Sequence, residues 1–203
     1  CKSPGVTPTK TLRHGGNMSP WETTQDTRAL QDPEGGRVHR KLRISVTDRC
    51  ALRCQYCVPD NPSPHLPKSR LLSFEEIARF VREAALPMGL RHLRLTGGEP
   101  LQRRDLVELV KSLAPLPGLE SLALTTNAER LAPLAPALHD AGLSRINISL
   151  DTLNRERFRE LTGVDKLPAV RKGIAETERL PFEHKKLNVV LLKGINEDEV
   201  SSL

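Results

Sequence analysis

Aromatic side chains are scarce, with one Trp, one Tyr and four Phe in 203 residues. Single-stranded nucleic acid is held largely by stacking bases on aromatic rings, so this composition argues against a nucleic-acid partner. Long apolar runs are missing too. None approaches the roughly 20 residues of a membrane-spanning helix, and no charged-then-apolar leader is visible. A cytoplasmic protein with no membrane partner is the expectation. Cysteine is limited to four residues, three of them between positions 50 and 57, which is no disulfide framework. Charge is plentiful: 31 Lys and Arg against 25 Asp and Glu leave a net +6. That balance favours an anionic partner, although a solvated basic surface has the same arithmetic.

What is present centres on one loop. Arg43 to Val46 read as a strand that runs into Cys50-x3-Cys54-x2-Cys57. Three thiolates on one loop suit a soft-metal centre: zinc, copper(I) or an iron–sulfur cluster. A [4Fe–4S] cube is usually held by four cysteines, so three would leave one iron open, as catalytic metal sites are. A zinc site completed by a histidine such as His65 is the competing reading of the same residues.

The rest of the chain alternates strand and helix. Residues 1–36 hold Pro4, Pro8, Pro20, Pro33 and two Gly-Gly pairs without apolar periodicity. They are expected to form a flexible extension, with Trp21 as an anchor and Gly35-Gly36 as a hinge into a core domain over 37–203. Strands are expected at 42–47, 92–96, 121–127, 145–151 and 186–192. Helices are expected between them, the first opening on a Ser73/Glu76 capping box and the third delayed by Pro133 and Pro136. Strands separated by helices imply a parallel sheet with right-handed crossovers, an α/β fold.

The first four strands alternate where doubly buried parallel strands read as continuous apolar runs. Leu42, Ile44, Val46, Leu93, Leu95, Leu122, Leu124, Ile146, Ile148 and Leu150 fall on one face. Arg43, Ser45, Thr47, His92, Arg94, Thr96, Ala123, Thr125, Asn127, Asn147, Ser149 and Asp151 fall on the other. With helices on the apolar face, the polar face must line an interior chamber, and a polar interior needs a polar occupant. Strand five breaks the pattern, and Lys193 falls on a parity that only a bend could aim inward.

The three cysteines with Tyr56 among them, followed after the second strand by Gly97-Gly98-Glu99-Pro100, resemble the radical S-adenosylmethionine enzymes. The strings Leu42–Cys50, Arg94–Leu101, Leu124–Asn127, Arg145–Asp151 and Lys193–Asn196 resemble the branch that cyclises GTP in molybdenum cofactor biosynthesis. The resemblance implies a partial (βα)6 barrel with five strands present. It implies a [4Fe–4S] cluster on Cys50, Cys54 and Cys57, whose open iron takes S-adenosylmethionine, and a 5′-deoxyadenosyl radical that abstracts hydrogen from the GTP ribose. By motif position, Tyr56, Gly98, Glu99 and Ser149 would contact S-adenosylmethionine. Arg43, Arg94, Thr125 and Lys193 would contact GTP. An electron donor such as flavodoxin or ferredoxin is the implied protein partner, with a homodimer left open.

Some positions depart from the family pattern. Ala128 stands where glycine follows Asn127, His92 where lysine is common, and Ala51-Leu52 follow the first cysteine. The family's second cluster needs three further cysteines, and none follows Cys57, so a truncated chain is expected. Two other functions remain open: a radical enzyme with a different substrate, or a zinc-binding basic module without catalysis.

Overall fold

The computed structural model describes residues 29–32, 35–59 and 64–202. Most of the expected extension, with Cys1 and Trp21, lies outside the described residues. Five strands, β1 (Lys41–Ser45), β2 (His92–Thr96), β3 (Ser121–Thr126), β4 (Arg145–Ser149) and β5 (His184–Asn188), pair in parallel in the order 1-2-3-4-5. Between them run α1 (Phe74–Phe80, continuing as a wider turn over Val81–Ala85), α2 (Leu106–Leu113), α3 (Ala135–Asp140), α4 (Arg155–Thr162) and α5 (Leu167–Arg179). The curved parallel sheet with its helices is a partial (βα) barrel.

Local chemistry sets the helix ends. The Ser73 hydroxyl accepts from Glu76 N–H at 3.2 Å, and the Glu76 carboxylate accepts from Ser73 N–H at 2.7 Å, satisfying two orphan donors of α1. Asn154 caps α4 by accepting from Glu156 and Arg157 N–H at 3.0 and 3.1 Å. Pro136 lies in the first turn of α3, where its missing N–H costs nothing. Pro133 holds the preceding residues out of the helix, as expected.

The in-register pairing places Leu93, Leu122 and Ile146, and then Leu95, Leu124 and Ile148, on one face with Leu42 and Ile44. These strand residues form one core with Ile77, Leu109, Leu113, Leu138, Phe158 and Val170 from the helices. The opposite face is polar, row after row: Arg43, Arg94, Ala123, Arg145 and His184 in one; Ser45, Thr96, Thr125, Asn147 and Lys186 in the next.

The fifth strand differs from expectation. It runs 184–188 rather than 186–192, because the chain leaves the sheet at Asn188. Asn188 O accepts the last ladder bond from Leu150 N–H at 3.0 Å. Val190 N–H then donates to the Asp151 carboxylate at 2.9 Å, a side chain standing in for the neighbouring strand. Ending at Asn188 removes the parity conflict: His184, Lys186 and Asn188 share the polar face, and Val190 and Leu192 are not strand residues.

Candidate functional site

The cysteine loop is held from three sides. From β2, Gly98 N–H donates to Thr47 O and Glu99 N–H to Arg49 O, both at 2.7 Å. From the end of α4, Thr162 O and Leu161 O accept from Arg53 and Gln55 N–H at 2.8 and 3.0 Å. The Arg103 guanidinium binds Val46 O at 2.7 Å and lies 4.4 Å over the Phe74 ring. Gly97 and Gly98 make the approach of β2 feasible. A Cβ on Gly97 would fall 2.4 Å from Thr47 O, and one on Gly98 2.5 Å from Arg49 O. The close backbone approach these glycines permit is therefore to the loop itself.

Glu99 is buried to 1% exposure. Its carboxylate accepts from Leu101 N–H at 3.0 Å, the Thr126 hydroxyl at 2.7 Å and Asn127 N–H at 2.7 Å. Burial pushes this carboxyl up, against those three hydrogen bonds, which pull it down. It ties the end of β2 to the end of β3. Asn127, so placed, directs its Nδ2 at Cys50 Sγ, 3.7 Å away. The next residue, Ala128, takes the left-handed conformation at φ 62° without being glycine.

Cys50 and Cys57 are exposed and Cys54 is half-buried, all three as free thiols. Burial, reinforced by the Cys50 and Asp151 charges, pushes the Cys54 thiol up to about 11. Burial also raises Cys50, with Glu99 and Cys57 adding to it. Three free thiols on one loop are the donor type that a soft metal centre takes as thiolates. The donor set thus fits an iron–sulfur cluster. His65, the residue offered for a zinc site, lies with its Nδ1 3.5 Å from Asp48. Among the described residues no three His, Cys, Asp or Glu side chains are gathered for a single ion.

Tyr56 reaches back across the sheet and donates its hydroxyl to Asp151 at the end of β4. Burial first, then this carboxylate, raises the phenol. Cys54, Tyr56, Asn127, Ser149 and Asp151 together line a small cavity of about 50 Å³. The structure therefore brings Tyr56 and Ser149 beside Cys54, while Gly98 packs against the backbone of Asp48 and Arg49.

Four residues down the strands, at their N-terminal ends, a second cavity of about 410 Å³ is lined by Lys41, Arg43, His92, Arg94, Ser121, Ala123 and Arg145. None of these is acidic. His92 is engaged by the Ser121 hydroxyl at 3.0 Å and by Glu120 at 3.6 Å. Thr125 lies one row nearer the cysteines, its buried hydroxyl oxygen without a partner. Lys193 is not brought to this face; it is exposed in the turn beyond β5. Two cations were overlooked in the sequence. Arg145 shares parity with Asn147 and was legible from that. Lys186 needed the true register of β5.

Residues 44–203 match the model of the Radical SAM superfamily. The chain is 49% identical over 166 residues to a GTP 3′,8-cyclase of Listeria monocytogenes serotype 4b, covering 82% of this chain and 50% of that protein. It is 47% identical over 179 residues to a GTP 3′,8-cyclase of Pseudomonas putida, covering 88% and 53%. The chain thus spans about half the length of these relatives. In fold it resembles HydG, a maturase of the [FeFe]-hydrogenase, with a TM-score of 0.59 at 16% identity, over 74% of this chain and 34% of that one.

Proposed function

The chain belongs to the Radical SAM superfamily, and from that premise we propose that it supplies the cluster, S-adenosylmethionine and GTP sites of a GTP 3′,8-cyclase, with residues 37–203 as the catalytic domain. The observation that carries this reading is a chamber with two poles. The cysteine loop stands at its upper end, and cations line its lower end, where Arg43, Arg94 and Arg145 have no carboxylate partner among the described residues. From the Arg43–Arg94 row to the level of Asn127 and Ser149 is four residues, roughly 13 Å at about 3.3 Å per strand residue. A nucleoside triphosphate laid along the strands has its phosphates at the lower pole and its ribose toward the thiols.

In this reading Cys50, Cys54 and Cys57 hold a [4Fe–4S] cluster, and Tyr56, Gly98 and Ser149 bound the S-adenosylmethionine site. When bound, the cluster and S-adenosylmethionine supply one-electron chemistry that removes hydrogen from the ribose, so that a ribose carbon can bond C8 of guanine. Arg43 and Arg94 present forked donors to phosphate oxygens, and Lys186 adds a point charge from the next row. The unpartnered Thr125 hydroxyl faces the middle of the nucleotide. Glu99 braces the loop rather than receiving the S-adenosylmethionine amino group, since both its oxygens already accept from the protein. Lys193 lies away from the phosphate pole, and Lys186 takes the place expected of it. The exposed Cys50 and Cys57 edge is where an electron donor such as flavodoxin or ferredoxin would approach.

Anaerobic reconstitution with iron and sulfide, followed by assay of 5′-deoxyadenosine, tests the reading. The expected result is cluster absorbance and 5′-deoxyadenosine formed faster with GTP than without it. Protein that takes up one zinc and no cluster, or S-adenosylmethionine cleavage indifferent to GTP, would overturn it.

A further inference from the structure

We propose that Arg145 grips the polyphosphate from the side opposite Arg94, so that the phosphate chain lies across β3 over Ala123. The inference rests on the polyphosphate reading of the lower pole and adds the ligand's line of contact. Arg94, Ala123 and Arg145 are consecutive partners across three parallel strands, so their side chains leave the same face. Neighbouring strands are about 4.8 Å apart. The two arginine backbones therefore stand roughly 10 Å apart, with only a methyl group between them.

Toward the N-terminal ends of the strands, the polar-face positions of β3, Ser121 and Ala123, are small, whereas those of the adjoining β2 and β4 are His92, Arg94 and Arg145. The sheet thus forms a groove along β3 with cationic walls, and the 410 Å³ cavity is lined by both arginines. Arg40, Arg155, Arg157 and Arg179 each pair with a carboxylate. Among the described residues, no side-chain hydrogen bond or ion pair engages the guanidinium of Arg43, Arg94 or Arg145. The Nε of Arg145 is buried and has no partner. A buried donor is costly to leave unpaired, and a guanidinium held without a counter-charge at a cavity wall is placed for an anion the protein does not itself contain. Two forks converging from opposite walls select an extended polyanion over a single phosphate.

Calorimetric titration of the full chain with inorganic tripolyphosphate tests this. Arg145→Gln should weaken binding about tenfold to a hundredfold. Arg145→Lys, which keeps the charge and loses the fork, should weaken it by less. Ala123→Leu, which fills the groove floor, should weaken it comparably to Arg145→Gln. Arg40→Gln, outside the groove, should bind as wild type. If Arg145→Gln does not fold, the Lys variant still decides, through the loss of bidentate contact. Affinity within twofold of wild type in both Arg145 variants would overturn the proposal while leaving the functional reading intact. A wild-type chain that takes no tripolyphosphate overturns the groove and Arg145 together. S-adenosylmethionine cleavage by the same preparation judges the superfamily chemistry separately.

Discussion

Replacing Gly98 by alanine should detach the cysteine loop from the sheet. The added Cβ would lie 2.5 Å from Arg49 O, 2.7 Å from Arg49 C and 2.9 Å from Asp48 O, whereas ordinary contact begins at about 3.4 Å. All three atoms are backbone, so no side chain can swing aside. The strand end and the loop must separate by about 0.9 Å. The two hydrogen bonds at 2.7 Å that join them would then stretch beyond useful length. Each is worth about 0.5–1.5 kcal/mol, and forced overpacking costs about 1–3 kcal/mol. With partial relaxation, about 2–4 kcal/mol is expected, or a fall in Tm of about 5–15 °C for a chain of this size. Differential scanning calorimetry measures the first effect. Iron per chain after anaerobic reconstitution measures the second, and it should fall as the thiols lose their mutual placement. Gly118, at φ 89° with open space around it, is the control: alanine there meets only the left-handed penalty of about 1–2 kcal/mol and should keep its iron. A Gly98→Ala chain with wild-type melting and wild-type iron would refute the argument that these glycines serve the approach of strand to loop.

Glu99→Gln should cost about 1–3 kcal/mol in urea denaturation, because the amide must turn its NH2 toward a backbone N–H or the Thr126 hydroxyl; unchanged stability would show that the carboxylate is not the clamp. Ala128→Gly should be close to neutral: relief of about 1–2 kcal/mol of left-handed strain is offset by about 0.5–1 kcal/mol of glycine entropy and about 0.8 kcal/mol for a buried methyl. Gly173→Ala, whose Cβ would lie 2.6 Å from Ala128 O, should melt well below both. Arg157 holds Asp198 below its ordinary 3.8. Burial raises Glu199, but the Thr152 hydroxyl, Leu153 N–H and Arg157 lower it by more, to below 4.5. Depressed carboxylates contribute stability that is complete above their unfolded values and is lost as pH falls through the folded ones. The Leu153 amide, which donates to Glu199 at 2.6 Å, should therefore titrate by NMR below 4.5, and a midpoint at or above 4.5 would contradict the pairing.

Much of this was legible from spacing alone. Cys50, Cys54 and Cys57 stand within one turn-rich loop whatever the tertiary fold, and the alternation in β1 to β4 assigns Arg43, Arg94, Thr125 and Ser149 to one face by period two. Ser73 with Glu76, and Asn154 ahead of α4, mark helix starts through contacts only a few residues long. Such features depend on neighbours in the chain, and a sequence states its neighbours. The end of β5 was different. It is set by Asp151, which takes Val190 N–H from 39 residues away and so ends the strand early, leaving Lys186 on the polar-face register beside Asn147 and Lys193 in the turn beyond. Gly98 looked like a place for a ligand until the chain folded Arg49 against it. Glu99 looked like a free carboxylate until β3 brought Thr126 and Asn127 to it. By itself the sequence determined the elements, the chemistry of the loop and the polarity of each face, because these follow from covalent spacing. Only the tertiary structure decided which long-range partners occupied each polar group, and therefore which groups were left to meet a ligand.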